Sequence, residues 1–345
     1  MRKELSEIPS AGRGVAFSSA EIESAAARAA TGRAAQNAKK SSDRAGMTIA
    51  IITASARGRE SAFELSPRPV RPTGATSSLA NLFSALVWLA VSAPAFSAGS
   101  SFAGFPLVPG SSARANVPLS AQEKSYVSEG GNAVPPTAVA VIAVPAGFDP
   151  QKSWPVLVCV STSDFQRKNR DDLNDFYRQA ALAEGWVVLA GDGENNPGRD
   201  TAGWRAGMTL AALDALHASF PGSKKWPMAV AGFSGGAKRA GTLAPLLALA
   251  GNRITGIFLT GVNEDRLTEG YRKFQPGAAF LRTPVYISAG QNDDVARFVQ
   301  QQQVKNTIER TGFSQVRLVP TPHGHAVSRS AVREALRWFR QAQGG

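Results

Sequence analysis

The sequence predicts an α/β fold, a mostly parallel sheet of about seven to eight strands with helices on both faces. Two observations carry this. Short apolar runs alternate with longer helical patterns from residue 138 to near the C-terminus. The segment 228–242, MAVAGFSGGAKRAGT, passes from an apolar run through a glycine-rich turn into a helix-forming run, with Ser234 at the apex. The glycines suit a cramped strand–helix turn, where a side chain would collide with a neighbouring element.

In chain order, strands are predicted at 138–144, 155–160, 186–190, 228–231, 254–260, 285–288 and 316–319. Helices are predicted at 171–184, 207–219, 237–249, 294–311 and 328–343. The first two strands are separated by a short turn with no room for a crossover helix, which predicts an antiparallel hairpin. Only 263–282 separates the strand after the elbow from the next, enough for a small cap. No internal repeat is present.

The N-terminal third reads differently. Residues 1–70 are rich in Ala, Ser, Arg and Gly without apolar periodicity, and read as disordered or as an extension from an over-extended gene start, with Met47 as an internal alternative. Residues 71–95 read as a signal peptide: Arg68 and Arg71, an apolar run at 82–91, then Ser-Ala-Pro-Ala, with cleavage after Ala95. An N-terminal anchor or a buried helix is the alternative. Residues 96–122, rich in Ser, Gly, Pro and Ala, read as a linker, and 123–345 as the folded domain. A secreted or periplasmic protein is therefore expected.

Composition removes several classes of function. The chain has 345 residues, 43% of them hydrophobic, which is ordinary for a globular protein. Its single cysteine, Cys159, sits in the apolar run VLVCV and forms no intrachain disulfide. No Cys/His cluster has metal-ligand spacing, so no metal is expected. The net charge is +12, of which +5 lies in residues 1–95. The remaining basic residues are scattered; pairs such as Lys238-Arg239 and the group Arg167, Lys168 and Arg170 read as solvated surface, and no nucleic-acid partner is expected. The run at 82–91 is too short for stable membrane insertion.

A serine hydroxyl at such an apex needs a base to take its proton. Three histidines are present. His217 falls within a helix pattern and reads as structural. His323 and His325 flank Gly324 in a loop between the last strand and last helix, at the sheet edge that also carries Ser234. His325 is the expected base and His323 the fallback. The base in turn needs an acceptor on its second nitrogen. Asp293, in the strand–helix turn SAGQNDD, is the expected acid; Asp294 reads as a helix cap and Asp265 as a lower-ranked alternative. An oxyanion needs donors as well. The backbone N–H of Gly235 is one, and Thr162 or Ser163, after the strand at 155–160, is the other. Asp192 and Glu194 read as a polar turn.

GFSGG, AGQND and HGH, in nucleophile–acid–histidine order, resemble the α/β-hydrolase superfamily over roughly 138–345. Secreted esterases, polyhydroxyalkanoate-depolymerase-like and dienelactone-hydrolase-like members are the most similar in pattern. The resemblance implies the α/β-hydrolase fold, Ser234 as nucleophile, His325 as base, Asp293 as acid, no cofactor, and a small-molecule or polymeric carboxylic ester as substrate. A serine peptidase of the same fold and a non-catalytic binding member are the alternatives. One departure stands out. Many members carry His-Gly after the strand that supplies the oxyanion loop, where this chain has Val160-Ser161-Thr162.

Overall fold

The computed structural model describes residues 100–162 and 167–342. The expected extension at 1–70 and signal peptide at 71–95 lie outside the described residues. The strands are β1 (Ser101–Phe102), β2 (Phe105–Pro106), β3 (Ser112–Pro118), β4 (Thr137–Ala143), β5 (Val156–Val160), β6 (Val187–Asp192), β7 (Met228–Phe233), β8 (Ile254–Thr260), β9 (Val285–Gly290) and β10 (Val316–Thr321). The helices are α1 (Ala121–Val127), α2 (Asn169–Asp172), α3 (Arg178–Ala183), α4 (Ala202–Ser219), α5 (Gly235–Leu249), α6 (Leu267–Phe274), α7 (Phe298–Arg310) and α8 (Arg329–Gln341). A π-helical turn, Leu173–Tyr177, joins α2 to α3.

Eight strands form one sheet in the order β10-β9-β8-β7-β5-β6-β4-β3, and β1 pairs with β2 in a separate small ribbon. The six strands from β10 to β6 are mutually parallel, while β4 and β3 run antiparallel at one end. The central strands are buried on both faces, which explains why they read as continuous apolar runs rather than alternating ones. α1 and α4 to α7 cover one face, and the π-helical turn, α3 and α8 cover the other. This is the α/β-hydrolase fold that the sequence predicts.

Two expectations are corrected. Residues 100–122 of the expected linker are part of the domain. β3 forms the sheet edge, with Ala113, Ala115 and Val117 inward and the intervening residues exposed. Two of the three inward residues are alanines, so the period-two pattern is faint in the sequence. α1 begins at Ala121 behind a capping box, in which Ser120 and Glu123 each accept the other's backbone N–H.

The second correction concerns β4 and β5, which are not a hairpin. β6 lies between them, and β4 pairs antiparallel with β3 and β6. The connection at 144–155 is not a tight turn. It carries Phe148 and Trp154, whose rings meet at 5.6 Å, and Phe148 also packs edge-on against Phe220 and Trp226. That aromatic cluster holds the connection beside the segment that leads from α4 into β7.

Between β8 and β9 the chain makes only α6 and a short 3-10 turn, Ala278–Arg282. Among the described residues no helix is long and apolar enough to cross a membrane.

β6 and α4 touch backbone to backbone. A Cβ on Gly191 would stand 2.0 Å from the carbonyl oxygen of Met208. A carbonyl inside a helix cannot turn aside, so Gly191→Ala is expected to destabilise the fold by about 3 kcal/mol. The urea midpoint measures this.

Candidate active site

The C-terminal ends of the parallel strands deliver the relevant side chains to one edge. Ser234 directly follows β7 and precedes α5, with φ 56° and ψ −120°. Positive φ is unfavourable for a residue with a Cβ and persists only where the surroundings enforce it. Here they do. A Cβ on Gly232 would lie 2.1 Å from the Gly236 carbonyl oxygen, and one on Gly236 would lie 2.3 Å from that of Val160. The chain therefore turns within the space of bare backbone and holds the serine clear of the sheet.

Ser234 Oγ lies 2.9 Å from His325 Nε2. His325 Nδ1 lies 2.8 Å from Asp293 Oδ2 and 3.0 Å from Oδ1. A carboxylate only accepts, so Nδ1 carries the proton in this arrangement and Nε2 is left to accept from the serine hydroxyl. Asp293 Oδ1 also accepts the backbone N–H groups of Val295 at 3.0 Å and Ala296 at 2.8 Å. These bonds fix the carboxylate in the turn after β9. Its side chain is 1% exposed, while that of His325 is 20% exposed. The imidazole thus has one buried and one open flank. Phe233 packs beside it, with ring centroids 4.7 Å apart, and Phe176 from the π-helical turn packs edge-on against Phe233 at 5.6 Å.

The other candidates stand elsewhere. His323 is exposed, and its carbonyl accepts the Asn292 N–H. Asp294 is exposed. Asp265 caps α6 by accepting the Thr268 N–H at 2.9 Å, and burial raises its pKa. His217 bonds Ser223 at 2.8 Å and Asn252 at 3.2 Å, and burial lowers its pKa. Cys159 is fully buried, and desolvation pushes its thiol up. Among the described residues no group of His, Cys, Asp and Glu is arranged to hold a metal.

Gly235 opens α5, so its N–H has no carbonyl within the helix to meet. Ser163 lies outside the described residues. Thr162 follows β5, and a buried polar network holds it. Its carbonyl faces Arg239 Nη1 at 3.3 Å and Arg205 Nη2 at 3.5 Å. Both guanidinium groups converge on Asp200. Arg205 is bidentate at 2.8 and 2.9 Å, and Arg239 contacts Oδ1 at 3.0 Å. Arg205 also donates to Ser161 Oγ at 2.9 Å and to Asn169 Oδ1 at 3.1 Å, and Asn169 Oδ1 in turn accepts the Ser161 N–H at 2.8 Å. The loop that departs from the His-Gly pattern is thus anchored by side chains from α2, α4 and α5.

This network corrects two readings of the sequence. Arg239 is no solvated surface residue; its side chain is 10% exposed. Asp192 is no polar turn residue. It is fully buried and accepts the N–H groups of Asn169 at 2.8 Å and Arg170 at 2.9 Å at the start of α2. Burial raises its pKa, outweighing those bonds and Arg205. Glu194 does lie at the surface, paired with Arg114. No spacing in the sequence marks the network, because its members come from segments far apart along the chain.

Burial acts to raise the pKa of Asp200, but Arg205 and Arg239 outweigh it and hold the carboxyl below its ordinary value. A depressed folded-state pKa adds stability above the unfolded value, and that stability is lost as pH falls through the folded one. Asp200→Asn is therefore expected to destabilise by about 3 kcal/mol near neutrality. The deficit shrinks as pH drops below about 4. Urea unfolding across a pH series measures both effects.

No protein-family profile matches this chain, and no curated protein matches it significantly. Solved structures do. A candidate dipeptidyl aminopeptidase IV from Bacteroides ovatus is 14% identical with a TM-score of 0.45, over 68% of this chain but only 36% of that one. An α/β serine hydrolase without lid from Xanthomonas campestris is 18% identical with a TM-score of 0.47, over 68% of this chain and 97% of the other. Dienelactone hydrolase from Anabaena variabilis is 16% identical with a TM-score of 0.44, over 67% and 98%. Likeness at this level says nothing of what this chain acts on.

Proposed function

We propose that this protein is a serine hydrolase that cleaves carboxylic esters through an acyl-enzyme. The observation that supports it is the unbroken relay from Ser234 Oγ through His325 to Asp293, with both links under 3 Å at their shorter contact.

In this reading Ser234 Oγ attacks the ester carbonyl carbon as its proton passes to His325 Nε2. Asp293 steadies the imidazolium so formed and keeps the ring in the tautomer that can accept. The carbonyl oxygen, now an oxyanion, takes the Gly235 N–H at the positive end of α5. A second donor comes from the loop at Thr162 or Ser163. Collapse of the tetrahedral intermediate breaks the bond to the alcohol oxygen, which leaves with the proton held by His325. A water molecule then gives its proton to His325, attacks the acyl carbon, and releases the carboxylic acid with Ser234 restored. The proton first taken from Ser234 leaves with the alcohol and one from water replaces it, so the enzyme is regenerated and no cofactor is needed.

Ser234→Ala and His325→Ala are each expected to lower kcat for p-nitrophenyl acetate by at least about 10³-fold, and the double variant little further, because the residues act as a unit. Asp293→Asn is expected to lower kcat by about 10⁴-fold through the wrong tautomer. Fluorophosphonate labelling should vanish in Ser234→Ala and fall steeply in His325→Ala, with the fold kept in both. Hydrolysis unchanged in Ser234→Ala would overturn the assignment.

The signal read at 71–95 makes the enzyme a secreted or periplasmic one. N-terminal sequencing of exported protein should begin at Phe96.

A further inference from the structure

Beside the relay, a vestibule of about 260 Å³ opens at Gly235, bounded by Lys238, Arg239 and Thr242 of α5, by Ala202, and by Glu264 and Arg266. Three of these residues, Ala202, Arg239 and Thr242, also line a second cavity of about 110 Å³. This one lies deeper between α4, α5 and the end of α6. Its walls are mainly apolar: Val160, Ala206, Leu243, Leu246 and Phe274. Four charged residues also border it. Arg205 and Arg239 are tied to Asp200 and to the Thr162 carbonyl, and Glu129 and Lys273 are exposed to solvent. The outer space is therefore polar where Gly235, Lys238 and Arg266 border it, and the inner one is hydrocarbon-like along Val160, Ala206, Leu243 and Leu246.

Resting on the esterase reading above, we infer that this inner cavity receives the far end of an acyl chain, and that the preferred substrates are esters of medium- to long-chain fatty acids. The dimensions set the length. Leu243 lies eight residues beyond Gly235 along α5, which at the rise of an α-helix is ~12 Å. An extended chain advances about 3.5 Å for every three bonds, so about ten carbons are needed to bring a terminal methyl group that far. A cavity of about 110 Å³ is slightly smaller than one that admits benzene, and takes a tail of about four carbons. Acetyl and butyryl groups are too short to enter it. Each methylene seated there is worth about fourfold in kcat/KM.

The test is a series of p-nitrophenyl esters from acetate to decanoate. kcat/KM should change little up to hexanoate and then rise at least tenfold to decanoate. Leu246→Phe fills the floor and should abolish that rise. Ala202→Trp, at an exposed position where the two spaces meet, should abolish it without disturbing the core. A flat or falling series, with acetate hydrolysis still dependent on Ser234, would overturn the inference and leave the esterase reading standing. So would a rise that both variants retain. If no ester in the series is hydrolysed, the function and the inference fall together.

Discussion

The left-handed backbone at Ser234 is the constraint on which the site depends. A serine does not adopt that conformation without compulsion. It is compelled by backbone contacts that only glycine allows, Gly232 against Gly236 and Gly236 against Val160. The last of these ties the turn to β5, so the strand that leads into Ser234 and the strand that leads into Ser161 and Thr162 are locked at one distance. The Ser234 hydroxyl and the Ser161-Thr162 backbone are set by the same contact. His325 and Asp293 follow β10 and β9, which lie beyond β8 in the sheet and whose register aligns Thr321 with Gly290. Parallel pairing thus converts a separation of ninety-one residues between Ser234 and His325 into one hydrogen bond.

A second layer of order lies behind the loop. Two arginines and two aspartates are withdrawn from water around Thr162. Burying charge is expensive unless each group is matched in geometry and number. Arg205 meets this by spending its donors on Asp200, Ser161, Asn169 and backbone carbonyls. Such an arrangement favours one placement of Ser161 and Thr162 strongly over others, since any displacement of either leaves a buried charge without its partner. The chain lacks the His-Gly pattern and anchors the loop by charge.

Much of this was legible in the sequence, and the reasons for success and failure are local against distant. The elbow is a contiguous motif, and its flanking apolar run and helix follow from periodicity. The turn after β9 was legible because Gly290 and Asp293 sit close together, with Asp294 in the exposed next position. The pairing of β4 with β6 was not, because strand order is decided by contacts among segments far apart, and a short connection suggested the nearer partner. β3 was missed for a different reason: inward alanines bury well but hardly register as apolar periodicity. Asp192 and Arg239 look like any surface charges until the segments that neutralise them are folded alongside.

The outermost strands have a bearing on how the molecule lives with its neighbours. β3 ends in Pro118 and β10 carries Pro320 near its end, with Arg317 folded over the Trp338 ring at 4.2 Å. A proline offers no amide hydrogen to an incoming chain. A foreign strand seeking to extend the sheet would meet a missing donor on either flank. The sheet edge that carries Ser234 can therefore stay open, with no large lid among the described residues, while the lateral margins resist fibrous self-association.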